Sequence, residues 1–378
     1  TRVLAGPTCT QMLGDLGAEV IKIEHPSRGD DTRGFAPPFL PDQDGRPTKE
    51  SAYFAGVNRN KFSVTLDIAN PEGQEIARKL IAQCDILVEN FKPGGLAKYG
   101  LDYASLKEAF PGLIYCSITG FGQTGPYAPR AGYDFIIQAM SGLMSITGEP
   151  GREPQKAGVA VSDIFTGLYS VIAIQAALRH AEATGEGQHI DMALYDAQIS
   201  VLANQNLNYL VSGDAPVQMG NAHMNIAPYE VVPVSDGHII LAVGNDGQFQ
   251  RFCAVAGMEK AAADPDFATN PLRVKNRARL REEVVAVTQT WKREALLAAL
   301  EKAAVPASPI NTIGQMFDDP QTRARGMRLD LDDGLGNALP SVRAPMVMSA
   351  TPLAYGRPSP RLGQHTQEIL AELEKSDK

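Results

Sequence analysis

Cysteine is scarce in this 378-residue chain: Cys9, Cys84, Cys116 and Cys253 lie far apart, with no Cys-x-x-Cys pair. Such usage gives neither a disulfide framework nor a zinc site and fits a reducing compartment. A cytoplasmic location is therefore expected, or an organelle matrix if a targeting segment precedes Thr1. No apolar run of about 18 residues is free of polar breaks, so no membrane span is expected. Positive charge is in deficit: 35 basic residues against 43 acidic give a net charge of −8, which argues against a nucleic-acid partner. Individual basic residues can still line a pocket for a phosphorylated ligand. Gly-x-Gly-x-x-Gly does not follow the first strand, and the phosphate-loop, Gly-x-Ser-x-Gly and His-Glu-x-x-His motifs are missing. The histidines, His25, His180, His189, His223, His238 and His365, are scattered; each alone is more often a surface or hydrogen-bonded residue than a ligand. There is no internal repeat and no low-complexity tract.

What is present is an alternation of strand and helix. At this length, and with 44% hydrophobic residues, the chain can bury a sizeable core, and it should divide into two domains. Strands are expected at Glu19–Glu24, Phe62–Leu66, Asp85–Glu89 and Leu113–Ile118. Helices are expected at Pro7–Ala18, after Asn70 with Pro71 in the first turn, and at Asp102–Phe110. Gly14 and Gly17 either let the first helix lie close on a sheet or break it. The polar stretch His25–Asp44 reads as a loop. A helix of small and apolar residues is expected over 128–148, and another long one reaching Leu210. The pattern predicts an α/β fold with a mostly parallel sheet.

Composition changes in the second half. Pro228–Val243 reads as a hairpin turning at Asp236–Gly237, followed by helices at Gln248–Ala256, Asn276–Thr290 and Arg293–Ala303. The tail, strand-like over 327–331, is expected to return to the first domain. The division is a large domain from 1–205 and 320–378 and a small α+β domain over 215–310, with linkers at about 206–214 and 305–320.

One carboxylate organises the functional reading. Gly158–Ser170 (GVAVSDIFTGLYS) reads as a short buried strand, Val159–Val161, a turn, and a helix opening at Ser162 or Asp163. Asp163 would then sit at the positive end of a helix dipole, beside unpaired N–H groups. That place suits a carboxylate that must stay ionised and carry charge through a reaction. It equally suits an N-cap, which is what most aspartates at such a junction are. The loops DDTRG, LDIANP, ENFKPGG and TGFGQTG end successive strands, and in an open α/β sheet those ends share one crevice. Arg33, Asn90, Lys92, Lys98 and the amides beside glycine suit a long ligand with phosphates and an adenine. A solvated surface is the ordinary place for each Lys or Arg taken alone.

The ordered segments VLAGPTCTQMLGDLGAEVIKIE, GDDTRG, VNRNKFSVTLD, ENFKPGGL, SITGFGQTGP, AGYDF, GVAVSDIFTG, GQHIDMAL and LGQHT resemble the family III CoA-transferases, the group of formyl-CoA and carnitine CoA-transferases. The wording is most similar to the succinate–hydroxymethylglutarate CoA-transferase branch. The resemblance implies a Rossmann-like large domain built from both ends of the chain, a smaller inserted domain, and an interlocked homodimer. It implies CoA or acyl-CoA as substrate with no prosthetic group, no metal, no membrane, and small carboxylic acids as the other partners. Asp163 is implied as the nucleophile, passing through an aspartyl anhydride and an aspartyl–CoA thioester. Gly120, Gly122 and Gly125 would let amides approach the oxyanion.

The CoA contacts implied are Leu4 and Ala5 by backbone and Arg33 at the phosphates. Leu66, Asp67 and Ala69 fall on the adenine side; Asn90, Phe91 and Lys92 form a clasp. Lys98 stands where many members have Arg, keeping the charge but not the fork. Tyr133 and Asp134 fall near the thioester. Ala131 replaces a family Lys, for which Arg130 could substitute. A glycine-rich flap found in formyl-CoA transferase has no counterpart, which disfavours formyl-CoA and oxalate as the substrate pair. Arg59, Arg130 and His223 are candidates for a second substrate carboxylate. The rival within the fold, an α-methylacyl-CoA racemase, uses a His where this chain has Gly132–Asp134, and no His occurs between His25 and His180. A non-catalytic CoA-binding module, with Asp163 a mere cap, is the third reading.

Overall fold

Strand-forming residues alternate with capped helices, and the first half folds accordingly in a computed structural model that describes residues 1–333 and 338–376. Val20–Glu24 pairs in parallel with Lys61–Thr65, Val20 opposite Lys61. A second parallel sheet places Ile114–Thr119 between Ile86–Glu89 and His189–Ala193. Ile114–Thr119 is buried along its whole length, as a central parallel strand covered on both faces must be. Leu13, Cys116, Ile118, Ile137, Ile174 and Leu194 form one core beside it. The helix Pro71–Ile81 starts where Asn70 Oδ1 accepts the Gly73 N–H at 2.7 Å, with Pro71 in the first turn, where an N–H has no partner to lose. Gly14 and Gly17 divide the two roles between them. A Cβ on Gly14 would lie 3.0 Å from Asn60 Cβ, whereas Gly17 has a φ of +104° just past the end of the helix Ala5–Asp15.

The chain forms two compact units. The first comprises Thr1–Leu143, Lys156–Gly213 and Pro320–Lys378; the second comprises Met144–Gln155 and Asp214–Asp319. Of the tail assigned to the large domain, 334–337 and 377–378 lie outside the described residues. In the second unit Tyr229–Val234 and Gly237–Ala242 make the expected hairpin, and Ala307–Pro309 adds an antiparallel edge. Val232, Ile239, Leu241, Phe249, Phe252 and Leu296 are its core.

Four expectations fail locally. Val159–Val161 is not a strand: the Val161 N–H bonds back to Val159 O at 2.9 Å, and the helix begins at Val161. The helix expected over 128–148 is confined to Asp134–Met140 and one turn at Leu143–Ile146, broken by Gly142 at φ +93°. The helix reaching Leu210 is two, Leu194–Ser200 and Asn204–Ser212, parted at Ala203, whose φ is +50°. The loop His25–Asp44 contains a 3-10 turn, Asp31–Gly34, and a strand, Phe39–Pro41, that pairs with Pro47–Ser51.

The helix Val161–Thr184 also departs from expectation. It has 24 residues, and by length and composition a stretch of 18 within it is apolar enough to cross a membrane, as the core helix of a globular protein also can be. Its polar breaks weigh little because their hydroxyls bond within the helix: Thr166 Oγ1 donates to Ser162 O at 2.6 Å and Ser170 Oγ to Thr166 O at 2.7 Å. These small residues, with Gly167, face inward. A Cβ at Gly167 would lie 2.8 Å from Ala5 O and 3.0 Å from Thr8 Cβ, so the backbones of this helix and Ala5–Asp15 cross closely.

Candidate active site

Asp163 lies in the first turn of the helix Val161–Thr184, one turn before Gly167 and so on the face that crosses the start of the helix Ala5–Asp15. It is not the N-cap. That position is Ala160, which offers no side-chain bond. The capping oxygen comes instead from another helix: Asp134 Oδ1 accepts the Ser162 N–H at 2.8 Å. The Ile164 N–H bonds to Ala160 O at 3.1 Å. Among the described residues, the Asp163 carboxylate makes no hydrogen bond or ion pair.

That isolation sets its acidity. Burial, and then the charge of Asp134, push the Asp163 carboxyl up to about 7. The expectation of a firmly ionised aspartate at a helix terminus is thus corrected: neighbouring first-turn amides already have acceptors, and a second carboxylate stands nearby.

Asp134 is itself held on both oxygens. Oδ2 accepts from Gln138 Nε2 at 2.7 Å, one turn along the helix Asp134–Met140. Gln138 is fully buried, and its Oε1 accepts the Ala157 N–H at 2.9 Å. Ser162 Oγ donates to the buried Gln198 Oε1 at 2.8 Å. From the helix Ala52–Gly56, capped by Ser51, Tyr53 faces the same carboxylates. Burial, then the charges of Asp163, Asp134 and Asp30, hold its phenol above the ordinary value.

Two of the strand-end loops, at Asp30–Asp31 and at Asn90, are joined through the N-terminal segment. Asn90 Oδ1 accepts the Arg2 N–H at 2.9 Å while its Nδ2 donates to Arg2 O at 2.8 Å. Arg2 Nη1 also lies 3.2 Å from Asp31, and the Val3 N–H donates to Asp30 Oδ1 at 3.3 Å. Leu4 then caps the helix in which Ala5 is buried. Asp30 is fixed by Lys22 at 2.8 Å; burial opposes its ionisation, but the Lys22 charge and the Thr32 bonds pull it down to about 2. The Phe91 N–H donates to Glu89, Lys92 and Lys98 are exposed, and the Lys98 ammonium lies 4.7 Å from the Tyr99 ring centre. Leu66 is buried; Asp67 Oδ1 accepts the N–H of the exposed Ala69 at 3.0 Å. Tyr133 is 65% exposed beside Asp134, leaving its face open.

Several sequence assignments change. Arg33 is not an open phosphate ligand: it is buried, with Nε and Nη2 on Glu24 at 2.9 and 2.8 Å, Nη1 on Glu50 at 2.6 Å, and Nη2 also on Pro360 O. Its guanidinium also lies 3.7 Å from the Phe54 ring centre. Arg59 is not free for a substrate carboxylate either, since buried Asp15 takes its Nε and Nη2 and Val342 O its Nη1. His223 belongs to the second unit, where its Nδ1 accepts from Asn225. Arg130 is exposed, stacked 4.0 Å from the Tyr127 ring centre, with no ion pair among the described residues. Of the three glycines, Gly122 and Gly125 have φ of +86° and +88°, and a Cβ on Gly120 would strike Gly132 Cα at 2.5 Å. The Gly122 N–H is engaged by Thr119 Oγ1 at 2.9 Å, so it is not free for an oxyanion. Among the described residues no group of three or more His, Cys, Asp and Glu could hold a metal ion.

Sequence reasoning missed Tyr53 and Gln138. Gln138 had a faint signal, the i, i+4 spacing from Asp134 that sets two side chains on one helix face. Tyr53 had none, because tertiary contacts alone bring its short helix here.

A parallel α/β protein with strand-end loops joined at its N-terminal segment and an unpartnered, weakly acidic aspartate in the first turn of a helix has the layout of an enzyme. The chain belongs to CoA-transferase family III, whose model matches residues 1–366. It is an enzyme, a CoA-transferase. The succinate–glutarate CoA-transferase of Agrobacterium fabrum is 58% identical over 373 residues, covering 99% of this chain and 93% of that protein. The human succinyl-CoA:glutarate CoA-transferase is 41% identical over 381 residues, covering 100% of this chain and 84% of its own length. A solved CAIB/BAIF family protein from Brucella suis is 55% identical, with a TM-score of 0.87, over 99% of this chain and 96% of that one.

Proposed function

We propose that the protein moves CoA from succinyl-CoA or a similar dicarboxylic thioester to a second dicarboxylic acid, with Asp163 as the covalent carrier. The observation that carries the role of Asp163 is its carboxylate, left without a partner while another residue caps its helix. The dicarboxylate class follows the substrates for which the relatives are named. An Asp163 oxygen attacks the thioester carbonyl; the C–S bond breaks and CoA leaves as thiolate, giving a mixed anhydride. The thiolate attacks the aspartyl carbonyl, the anhydride C–O bond breaks, and the donor acid departs as carboxylate. The acceptor carboxylate then displaces CoA from Asp163 to form a new anhydride. Finally the thiolate takes the acceptor acyl group and restores the aspartate. Anhydride and thioester keep the energy of the original bond, which demands that water stay out.

CoA is proposed to lie along the edge formed by Leu4, Ala5, Leu66, Asp67, Ala69, Asn90, Phe91, Lys92 and Lys98, with Tyr133 and Asp134 at the thioester end. Of the three candidate cations, Arg130 remains for the distal carboxylate. The second unit is read as the inserted small domain. The outward face of Val161–Thr184 carries Phe165, Tyr169 and Ile172, all exposed, and that face is proposed to be covered by a second copy of the chain in a homodimer. A cytoplasmic or matrix location remains part of this proposal. The chain has no histidine between His25 and His180, where the racemase reading needs its second base, which disfavours racemisation.

Incubation with succinyl-CoA and hydroxylamine should place a hydroxamate on Asp163, read by peptide mass spectrometry. Asp163→Ala should lose at least about 10³ in kcat while still binding CoA. Exchange of the α-proton with deuterium without hydroxamate would establish the racemase instead.

A further inference from the structure

The carboxylate of Asp134 is bonded at one end to the helix that carries Asp163 and at the other to a glutamine with no contact to solvent. Gln138 in turn holds the chain that leads into that helix, through Ala157. We propose that Gln138 and Asp134 act together as a positioning latch, fixing the run-in Ala157–Ser162 and hence the direction from which Asp163 meets the thioester. This rests on the reading of Asp163 as the nucleophile and goes beyond it, because Gln138 touches neither Asp163 nor the reacting atoms.

The geometry is that of a closed clamp. Gln138 Nε2 donates to Asp134 Oδ2 at 2.7 Å, Asp134 Oδ1 accepts from the Ser162 N–H at 2.8 Å, and the Ala157 N–H donates to Gln138 Oε1 at 2.9 Å. Each bond joins the helix Asp134–Met140 to the segment before Asp163 or orients the group that does. The segment is otherwise irregular, with no strand ladder to fix it. A nucleophile displaced by about 1 Å can lose on the order of 10²-fold in rate, so such an anchor matters more to turnover than to binding. The amide is oriented without ambiguity, since one end faces a carboxylate and the other an N–H. The titratable groups facing Asp163 are the Asp134 carboxylate from this helix and the Tyr53 phenol, kept neutral, from Ala52–Gly56.

Two variants test the latch. Gln138→Met keeps the volume but removes all the side-chain bonds, the long one from Nε2 to Val159 O at 3.5 Å included; it should lower kcat by about tenfold or more while KM for succinyl-CoA stays within about threefold. Asp134→Asn keeps an oxygen for Ser162 but removes the charge, and should move the acid limb of kcat/KM down by about one pH unit. Hydroxamate yield on Asp163 should fall with kcat in both. If Gln138→Met does not fold, kcat and hydroxamate yield of Asp134→Asn decide alone, because its acid limb reports only the lost charge, whereas an amide nitrogen at this position cannot accept from Gln138 Nε2. Wild-type trapping at Asp163 with kcat and trapping unchanged in the variants overturns the latch and leaves the carrier intact. No trapping in the wild type overturns the covalent carrier, and the latch with it.

Discussion

A carboxylate at the start of a helix is ordinarily well stabilised, because the first-turn amides and the dipole favour the anion. Asp163 departs from this: burial and Asp134 outweigh the terminus and raise its proton affinity to about 7. The folded value lies above the unfolded one, near 4, so the stability the proton confers is full below about pH 4 and is lost as pH rises towards 7. Asp163→Asn should therefore stabilise the protein at pH 8 by on the order of 2 kcal/mol and hardly at all at pH 4. Denaturant midpoints at the two pH values measure this, and an equal gain at both would reject the raised proton affinity. Because only the anion attacks, kcat/KM should fall below pH 7 in the wild type. Arginine teaches the opposite lesson at this scale. Arg33 and Arg59 were drawn from the sequence as ligands for anions, yet Glu24, Glu50 and Asp15 already claim them. Sequence supplies the charge of a side chain but not its partner.

At the scale of elements, the helix Val161–Thr184 reverses the usual amphipathic rule. Over its first turns the inward face is small and hydroxylated, at Ser162, Thr166, Gly167 and Ser170, while Phe165, Tyr169 and Ile172 face outward; further along, Val171 and Ile174 turn into the core. The inward choice follows from the crossing with Ala5–Asp15, where Gly167 leaves no room for a side chain. Gly167→Val should push the two helices apart, costing about 1–3 kcal/mol. Because Asp163 is one turn away, kcat should fall more than the loss of stability explains. Thermal melts and kinetics on the same variant check this; normal kcat with a lowered Tm would show that the crossing does not position the nucleophile. The strand Val159–Val161 failed as an expectation because apolar, β-branched residues also fit an irregular run held by side chains, which Gln138 and Asp134 supply.

At the scale of the whole molecule, the exposed apolar face of the same helix is the surface on which the proposed dimer is tested. Ile172, at 64% exposed, lies at its middle. Ile172→Glu should convert a dimer to monomer in analytical ultracentrifugation and lower activity in parallel, since the fold near Asp163 shares that helix. A wild-type monomer would remove the dimer from the proposal. The gathering of strand-end loops also belongs to this scale. Arg2 and Val3 join Asn90 to Asp30 and Asp31, which lie 60 and 59 positions before it in the chain, a contact no local pattern announces.

The sequence alone determined the alternation of parallel strands and helices, the caps at Asn70 and the hairpin at Asp236–Gly237, and the candidacy of Asp163. Those depend on local periodicity, on backbone amides needing nearby acceptors, and on residue types read in order. Only the tertiary structure decided that Asp163 stands unpartnered, that Asp134 takes the cap in its place, and that Gln138 secures Asp134. The reason is physical: acidity and orientation are set by burial and by neighbours within a few ångströms, and those neighbours come from segments far apart along the chain.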